Sequence, residues 1–115
     1  MKHKKTFEDI LTMVQEHEEA PEYALCLKLM EEAGEFAEVL NYELGWLKPK
    51  EDGREFEPLI EEAADVIITV MGTLARHQMH KHPRALNLDL LAAIQKKAKK
   101  YSKKLGVNDE YFTSD

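Results

Sequence analysis

Hydrophobic residues along the chain recur at helical spacing and almost nowhere alternate with polar residues as they would in a strand. The first predicted helix begins at Thr6, a residue type that caps helices, and ends in the acidic run near Glu18. Pro21 suits the first turn of a second helix that runs to about Leu44 and is ended by Gly45. The first half of the chain is therefore predicted to form two helices.

The second half of the chain predicts two further helices after a charged loop from Trp46 to Glu57. Pro58 restarts the helical pattern, and this third helix, to about His77, is apolar over most of its circumference. Such a pattern is typical of the most buried member of a bundle. The fourth helix has lysines on most of its circumference and one apolar stripe, formed by Leu91, Ile94, Ala98, Tyr101 and Leu105. We therefore expect an all-α four-helix bundle, in a single domain over residues 1–115.

Composition narrows the classes of function. The chain has 115 residues and a net charge of -6, which disfavours nucleic acid as a partner. Its longest uncharged run, Val66 to Ala75, is much shorter than the roughly 20 apolar residues of a membrane-spanning helix, and its lysine-rich start lacks the apolar stretch of a signal peptide. A single cysteine, Cys26, excludes an internal disulfide and fits a reducing compartment. These features predict a cytoplasmic protein without membrane association.

Two pairs of carboxylates stand out within the second and third helices. Glu32 and Glu35 are three residues apart, as are Glu62 and Asp65. The apolar stripe of the second helix is formed by Leu25, Leu29, Ala33, Phe36 and Leu40. At about 100° per residue, Glu32 lies roughly 60° from Leu29 and therefore at the edge of this stripe. The second pair lies on the only polar strip of the third helix. Both pairs are thus expected to approach the packed side of the bundle.

Four carboxylates gathered in this way predict a metal site. Like charges three residues apart on a helix destabilise each other, and a buried acidic cluster requires protons or cations to neutralise it. Oxygen ligands alone select hard divalent ions, Mg²⁺ or Mn²⁺. The competing interpretation is that each pair lies on a solvated helix face, where glutamate is common. A di-iron site is disfavoured because no histidine in the chain follows a glutamate by three positions.

The acidic motifs also carry a family resemblance. "EEAGE", with Glu32 and Glu35, followed after a loop by "EEAAD", with Glu62 and Asp65, resembles the signature of the MazG-like all-α nucleoside triphosphate pyrophosphohydrolases. The resemblance extends over about residues 23–104. It implies a MazG-like bundle that is completed by oligomerisation as a homodimer or homotetramer. It also implies that the four carboxylates hold Mg²⁺, and that the α–β bond of a nucleoside triphosphate is hydrolysed to monophosphate and pyrophosphate, in nucleotide-pool house-cleaning.

The resemblance suggests roles for individual residues. Glu35, at the margin of its apolar stripe, is the candidate catalytic residue that orients or deprotonates the attacking water. Tyr42 lies on almost the same helical face, seven residues later, so its ring is a candidate for stacking on a base. The other candidate substrate-binding residues are Trp46, Thr69, Lys97, Lys100 and Tyr101. For each of these the competing interpretation is ordinary: packing, a hydrogen bond to the preceding backbone, or a solvated helix face.

Two alternative functions and one alternative metal site remain open from the sequence. "EEAADVI" also resembles a helix of phosphoribosyl-ATP pyrophosphatase of histidine biosynthesis, and a noncatalytic helical interaction module is the third hypothesis. His77, His80 and His82 form a cluster that either binds a transition metal or supplies cationic and hydrogen-bonding groups at a helix end.

Overall fold

The computed structural model describes residues 5–53 and 55–107, so residue 54 and both ends of the predicted domain, 1–4 and 108–115, lie outside it. The described residues contain four helices and no strand. The helices are α1 (Thr6–His17), α2 (Glu22–Glu43), α3 (Leu59–His77) and α4 (Pro83–Lys104). The all-α prediction is confirmed, and the predicted limits of α2 and α3 agree with the structure to within one residue.

Local sequence signals explain where α2 ends. Gly45 adopts a φ of 79°, a left-handed conformation that glycine enters without a Cβ penalty. Its N–H donates to the carbonyl of Tyr42 at 3.0 Å, and the N–H of Trp46 donates to the carbonyl of Asn41 at 2.8 Å. This pair of bonds is a Schellman cap, which satisfies carbonyls that the helix leaves free and directs the chain into the loop.

The core lies between α1, α3 and the start of α4. Leu11, Val14, Met71, Ala75 and Leu86 form one buried apolar cluster. At Gly72 an added Cβ would lie 3.5 Å from the Cγ2 atom of Val14, an ordinary van der Waals contact, so α1 and α3 are packed directly against each other there. The α3 helix lies between α2 and α1, and α4 packs against α1.

Two polar side chains fix the connections between these helices. The Gln15 amide of α1 donates to the carbonyls of Gln78 and Lys81 in the α3–α4 connection, at 3.1 and 3.0 Å. The Arg76 guanidinium of α3 donates to the carbonyl of Ala20 at 3.0 Å, beside the start of α2. Backbone carbonyls in both turns therefore have partners from a neighbouring helix.

The buried face of α2 is rotated from the predicted one. Ala33 and Leu40, predicted on the apolar stripe, are exposed, whereas Glu32 and Val39 are buried. Because α2 packs on α3 along one side only, the face turned inward is centred near Glu32. Glu32, which was predicted at the edge of the apolar stripe, therefore lies at the centre of the buried face of α2.

The described helices do not close into a bundle within one chain. The predicted core stripe of α4 stays exposed at Leu91, Ile94, Tyr101 and Leu105, because α4 packs against α1 near its own beginning. The radius of gyration is 17.1 Å, compared with about 13 Å for a compact chain of this length. Among the described residues, the apolar stripe of α4 is therefore not covered by another helix of the same chain.

None of the helices in the described part of the chain is long and apolar enough to cross a membrane.

Candidate metal centre

The packing of α2 on α3 brings the two acidic motifs together. Glu32 and Glu35 of α2, and Glu62 and Asp65 of α3, line a single cavity of about 270 Å³, hereafter the carboxylate cavity. The cavity is completed by Val39 and by the end of the α2–α3 loop, and its other lining residues are Glu38, Lys50, Phe56 and Glu57. The four predicted carboxylates therefore line one half-open cavity between α2 and α3.

Their oxygens form two groups that meet at one residue. Glu32, Glu35 and Glu62 each offer an oxygen within 4.8 Å of the others, and so do Glu57, Glu62 and Asp65. Opposite ligands of an octahedral Mg²⁺ ion are about 4.2 Å apart, twice the bond length of about 2.1 Å. The spacing of the oxygens in both groups is therefore close to the spacing that a small divalent ion requires. Glu62 belongs to both groups.

Two of these carboxylates are buried with an oxygen that lacks a partner. Glu32 and Glu62 are only 7% and 6% exposed. Glu32 Oε1 lies 3.3 Å from the Lys28 ammonium, but neither Glu32 Oε2 nor Glu62 Oε2 has a hydrogen-bond partner among the described residues. A buried, unpaired carboxylate oxygen is costly, and a cation between the helices would pair both oxygens. This observation separates the cavity from an ordinary acidic surface.

The pKa values of two cavity carboxylates also indicate that negative charge is unfavourable there without a cation. Burial raises the pKa of Glu62, and the negative charges of Glu57 and Glu35 raise it further. Burial also raises the pKa of Glu35, followed by the charge of neighbouring Glu32. Without a cation, the cavity therefore makes the charged form of both side chains less favourable than it is in water.

These shifts predict how the stability of the metal-free protein depends on pH. Because folding raises the pKa of Glu62, the stability linked to its proton is present below the unfolded pKa and is lost as the pH rises through the folded pKa. Glu62→Gln should therefore be more stable than the wild type at about pH 8, because glutamine removes the buried charge and keeps the volume of the side chain. The difference should shrink towards about pH 4.

Urea denaturation in EDTA measures this difference. Glu61→Gln is the matched control, since Glu61 is the exposed neighbour on the same helix. Two results would contradict a destabilising buried charge at Glu62. One is a Glu62→Gln variant that is less stable than the wild type at high pH, and the other is a stability difference between the two proteins that does not change with pH.

The candidate substrate-binding residues of α2, the α2–α3 loop and α3 lie in different surroundings. Tyr42 lies beside the carboxylate cavity, in ring contact with Phe56 at a centroid distance of 4.5 Å. The Thr69 hydroxyl donates to the carbonyl of Asp65 at 2.7 Å and does not line the cavity. Trp46 is 74% exposed and does not line it either. Of these three residues, Tyr42 has its ring against a side chain that lines the cavity, whereas the hydrogen bond of Thr69 goes to the backbone of Asp65.

The candidates on α4 are not brought to the site within one chain. Lys97, Lys100 and Tyr101 line a separate open pocket together with Lys104. Because α4 packs against α1 and α2 packs against α3, these side chains and the carboxylates belong to different parts of the fold.

The histidines form structural contacts. His77 Nδ1 lies 3.0 Å from Glu22 Oε1, and His82 Nδ1 accepts a hydrogen bond from the N–H of Arg84 at the start of α4. In residues 5–53 and 55–107, the groups that are able to hold a metal ion contain carboxylates only. The helix-end interpretation of the histidine cluster is therefore favoured over a transition-metal site.

Glu38 and Val39 of α2 were not predicted to line the site, and neither were three further residues, Lys50, Phe56 and Glu57. All three lie in the α2–α3 loop, where helical angles give no information about direction. An isolated phenylalanine in a charged loop was the one available signal, because such a side chain usually has an apolar partner.

Comparisons of the chain with protein-family models, curated proteins and solved structures find no match. The functional interpretation is therefore built on the acidic motifs and the carboxylate cavity.

Proposed function

We propose that the chain is a cytoplasmic, Mg²⁺-dependent nucleoside triphosphate pyrophosphohydrolase of the MazG-like type. It would cleave the α–β phosphate bond and release a nucleoside monophosphate and pyrophosphate. The observation that carries this proposal is the unpaired, buried oxygen of Glu62, at the residue common to both carboxylate groups. Together with the order and spacing of the two acidic motifs, it supports a site for hard cations, with Mn²⁺ as a substitute for Mg²⁺.

The charge of the cavity explains why the reaction would depend on metal. Six carboxylates line it, from Glu32, Glu35, Glu38, Glu57, Glu62 and Asp65, against the single described cation Lys50. A polyphosphate anion is repelled by such a surface unless cations neutralise it. The substrate is therefore expected to bind as its magnesium complex.

Different residues of the cavity would have different roles in the reaction. When bound, Mg²⁺ neutralises the polyphosphate charge and lowers the pKa of water. Glu32 and Glu62 are held by the packing of α2 on α3, so they provide fixed ligands with little reorganisation. Glu35 is more exposed than Glu32 and Glu62, so it would be the better placed of the three to accept a proton from the attacking water.

A nucleotide panel tests the reaction. Ribo- and deoxynucleoside triphosphates, and phosphoribosyl-ATP, are incubated with the protein and Mg²⁺, and the products are separated by ion exchange. We expect equal amounts of monophosphate and pyrophosphate from at least one substrate, and no turnover in EDTA. Release of orthophosphate would contradict the bond assignment, and activity on phosphoribosyl-ATP alone would favour the histidine-biosynthesis alternative.

We also propose that the functional form is a homodimer or homotetramer. The α4 stripe of Leu91, Ile94, Tyr101 and Leu105 is apolar, regular and exposed in the single chain. Exposed apolar stripes of this kind are typical of surfaces that are covered by another chain. A second copy offers the same stripe, and two such helices pack well side by side.

A further inference from the structure

The α2–α3 loop forms a second cavity that adjoins the carboxylate cavity. This aromatic cavity has a volume of about 370 Å³, and its lining residues are Tyr42, Pro49, Lys50, Gly53, Glu55 and Phe56. Lys50 and Phe56 line both cavities. The two spaces therefore meet at these side chains and are able to hold two parts of one ligand.

The aromatic cavity presents two rings that a planar ligand is able to contact. The rings of Tyr42 and Phe56 have centroids 4.5 Å apart and are inclined at 35°. Tyr42 is held in place by the cap of α2, because its carbonyl accepts the Gly45 N–H. Nucleobases stack on such rings whatever their hydrogen-bonding pattern, since every base has a π-face.

Lys50 supplies positive charge where the cavities meet. Its Nζ atom lies 4.7 Å from the centroid of the Phe56 ring. A turn holds its backbone: the Gly53 N–H donates to the Lys50 carbonyl at 3.2 Å, and Gly53 has a φ of 80° that favours glycine. Among the described lining residues of both cavities, Lys50 is the only cation. An ammonium in this position suits a phosphate that passes from one cavity to the other.

We propose that these loop residues orient the nucleotide in the site. The base packs in the aromatic cavity against the ring pair of Tyr42 and Phe56, and the phosphate chain passes Lys50 into the carboxylate cavity. This inference rests on the proposed function and adds that the enzyme requires a planar base and a polyphosphate on the same molecule. Phe56 and Lys50 are then binding residues for different parts of the substrate.

Binding of ligands with and without a base separates the two parts. The probes are the Mg²⁺ complexes of the α,β-methylene analogues of ATP, CTP, GTP and UTP, and of inorganic tripolyphosphate, measured by calorimetry. The wild type should bind at least one nucleotide about tenfold more tightly than tripolyphosphate. Phe56→Leu should remove about that tenfold preference, because it should weaken nucleotide binding much more than tripolyphosphate binding. Lys50→Gln should weaken both ligands, and Lys50→Arg should restore both.

Lys48→Gln is the matched control for Lys50, since Lys48 is exposed in the same loop and lines neither cavity. Equal affinity of the wild type for nucleotides and tripolyphosphate, or equal weakening of both by Phe56→Leu, would overturn the proposal. The expected binding pattern without hydrolysis of the natural nucleotides would support the binding site and contradict the hydrolase. Hydrolysis that is insensitive to Phe56→Leu would support the hydrolase and contradict the proposed base-binding site.

Discussion

Glu62→Gln is expected to reduce nucleotide hydrolysis by at least about a hundredfold. Loss of a group that only supports a metal ligand typically costs 10- to 100-fold in metal affinity or activity, and Glu62 is placed to be a ligand itself. Because Glu62 belongs to both carboxylate groups, its replacement impairs both sets of ligands. Glutamine keeps the volume of the side chain, so the packing of α2 on α3 is retained. Initial rates of pyrophosphate release at saturating Mg²⁺ measure the loss.

Neighbouring variants distinguish this effect from a general loss of acidic charge. Glu61→Gln removes the same charge one residue away, on an exposed position, and should retain wild-type activity. Glu35→Gln and Asp65→Asn should be almost inactive, as each removes a carboxylate from one of the two groups. A Glu62→Gln enzyme that remains as active as Glu61→Gln would refute a catalytic role for the carboxylate cavity.

Leu91→Glu combined with Ile94→Glu is expected to convert the oligomer into monomers. Both side chains are exposed in the single chain, at 44% and 48%, so the substitutions should leave the fold of each subunit intact. In an oligomer, each apolar side chain that becomes buried contributes about 1.5–3 kcal/mol, and a buried carboxylate without a partner is strongly unfavourable. The dissociation constant should therefore rise by at least about a hundredfold.

Sedimentation velocity over a range of protein concentrations measures this change, with circular dichroism as a check on helix content. Ala92→Glu combined with Ala93→Glu is the matched control, because it adds the same charge to other faces of α4. A wild-type protein that stays monomeric at all concentrations, or a double variant that associates normally, would contradict an interface at the α4 stripe.

The helices were predictable because their signals are local. The spacing of apolar residues, the prolines before α2 and α3, and Gly45 after α2 depend only on neighbours in the chain. The rotation of α2 about its axis was not predictable in this way, since the face that becomes buried depends on the helix against which α2 packs. The angle between Glu32 and Leu29 placed the glutamate near the interface, but only the position of α3 puts it at the centre.

The candidate site was predictable to the extent that its residues lie on helices. Residues three apart share a helical face, so each acidic pair was recognisable from its spacing. Glu57 precedes α3 and approaches Glu62 through the path of the loop, which no periodicity describes. The α4 stripe shows a further limit: its apolar pattern predicts burial but does not distinguish the core of one chain from a surface shared with another.

Titration with Mn²⁺, followed by electron paramagnetic resonance of the free ion, tests the cation site most directly. The wild type should bind Mn²⁺, Mg²⁺ should compete with it, and Glu61→Gln should behave like the wild type. Glu62→Gln should lose most of the binding, since it removes the carboxylate that both groups share. A wild-type protein that binds no Mn²⁺, or a Glu62→Gln variant that binds it unchanged, would contradict the metal centre and favour a noncatalytic helical module.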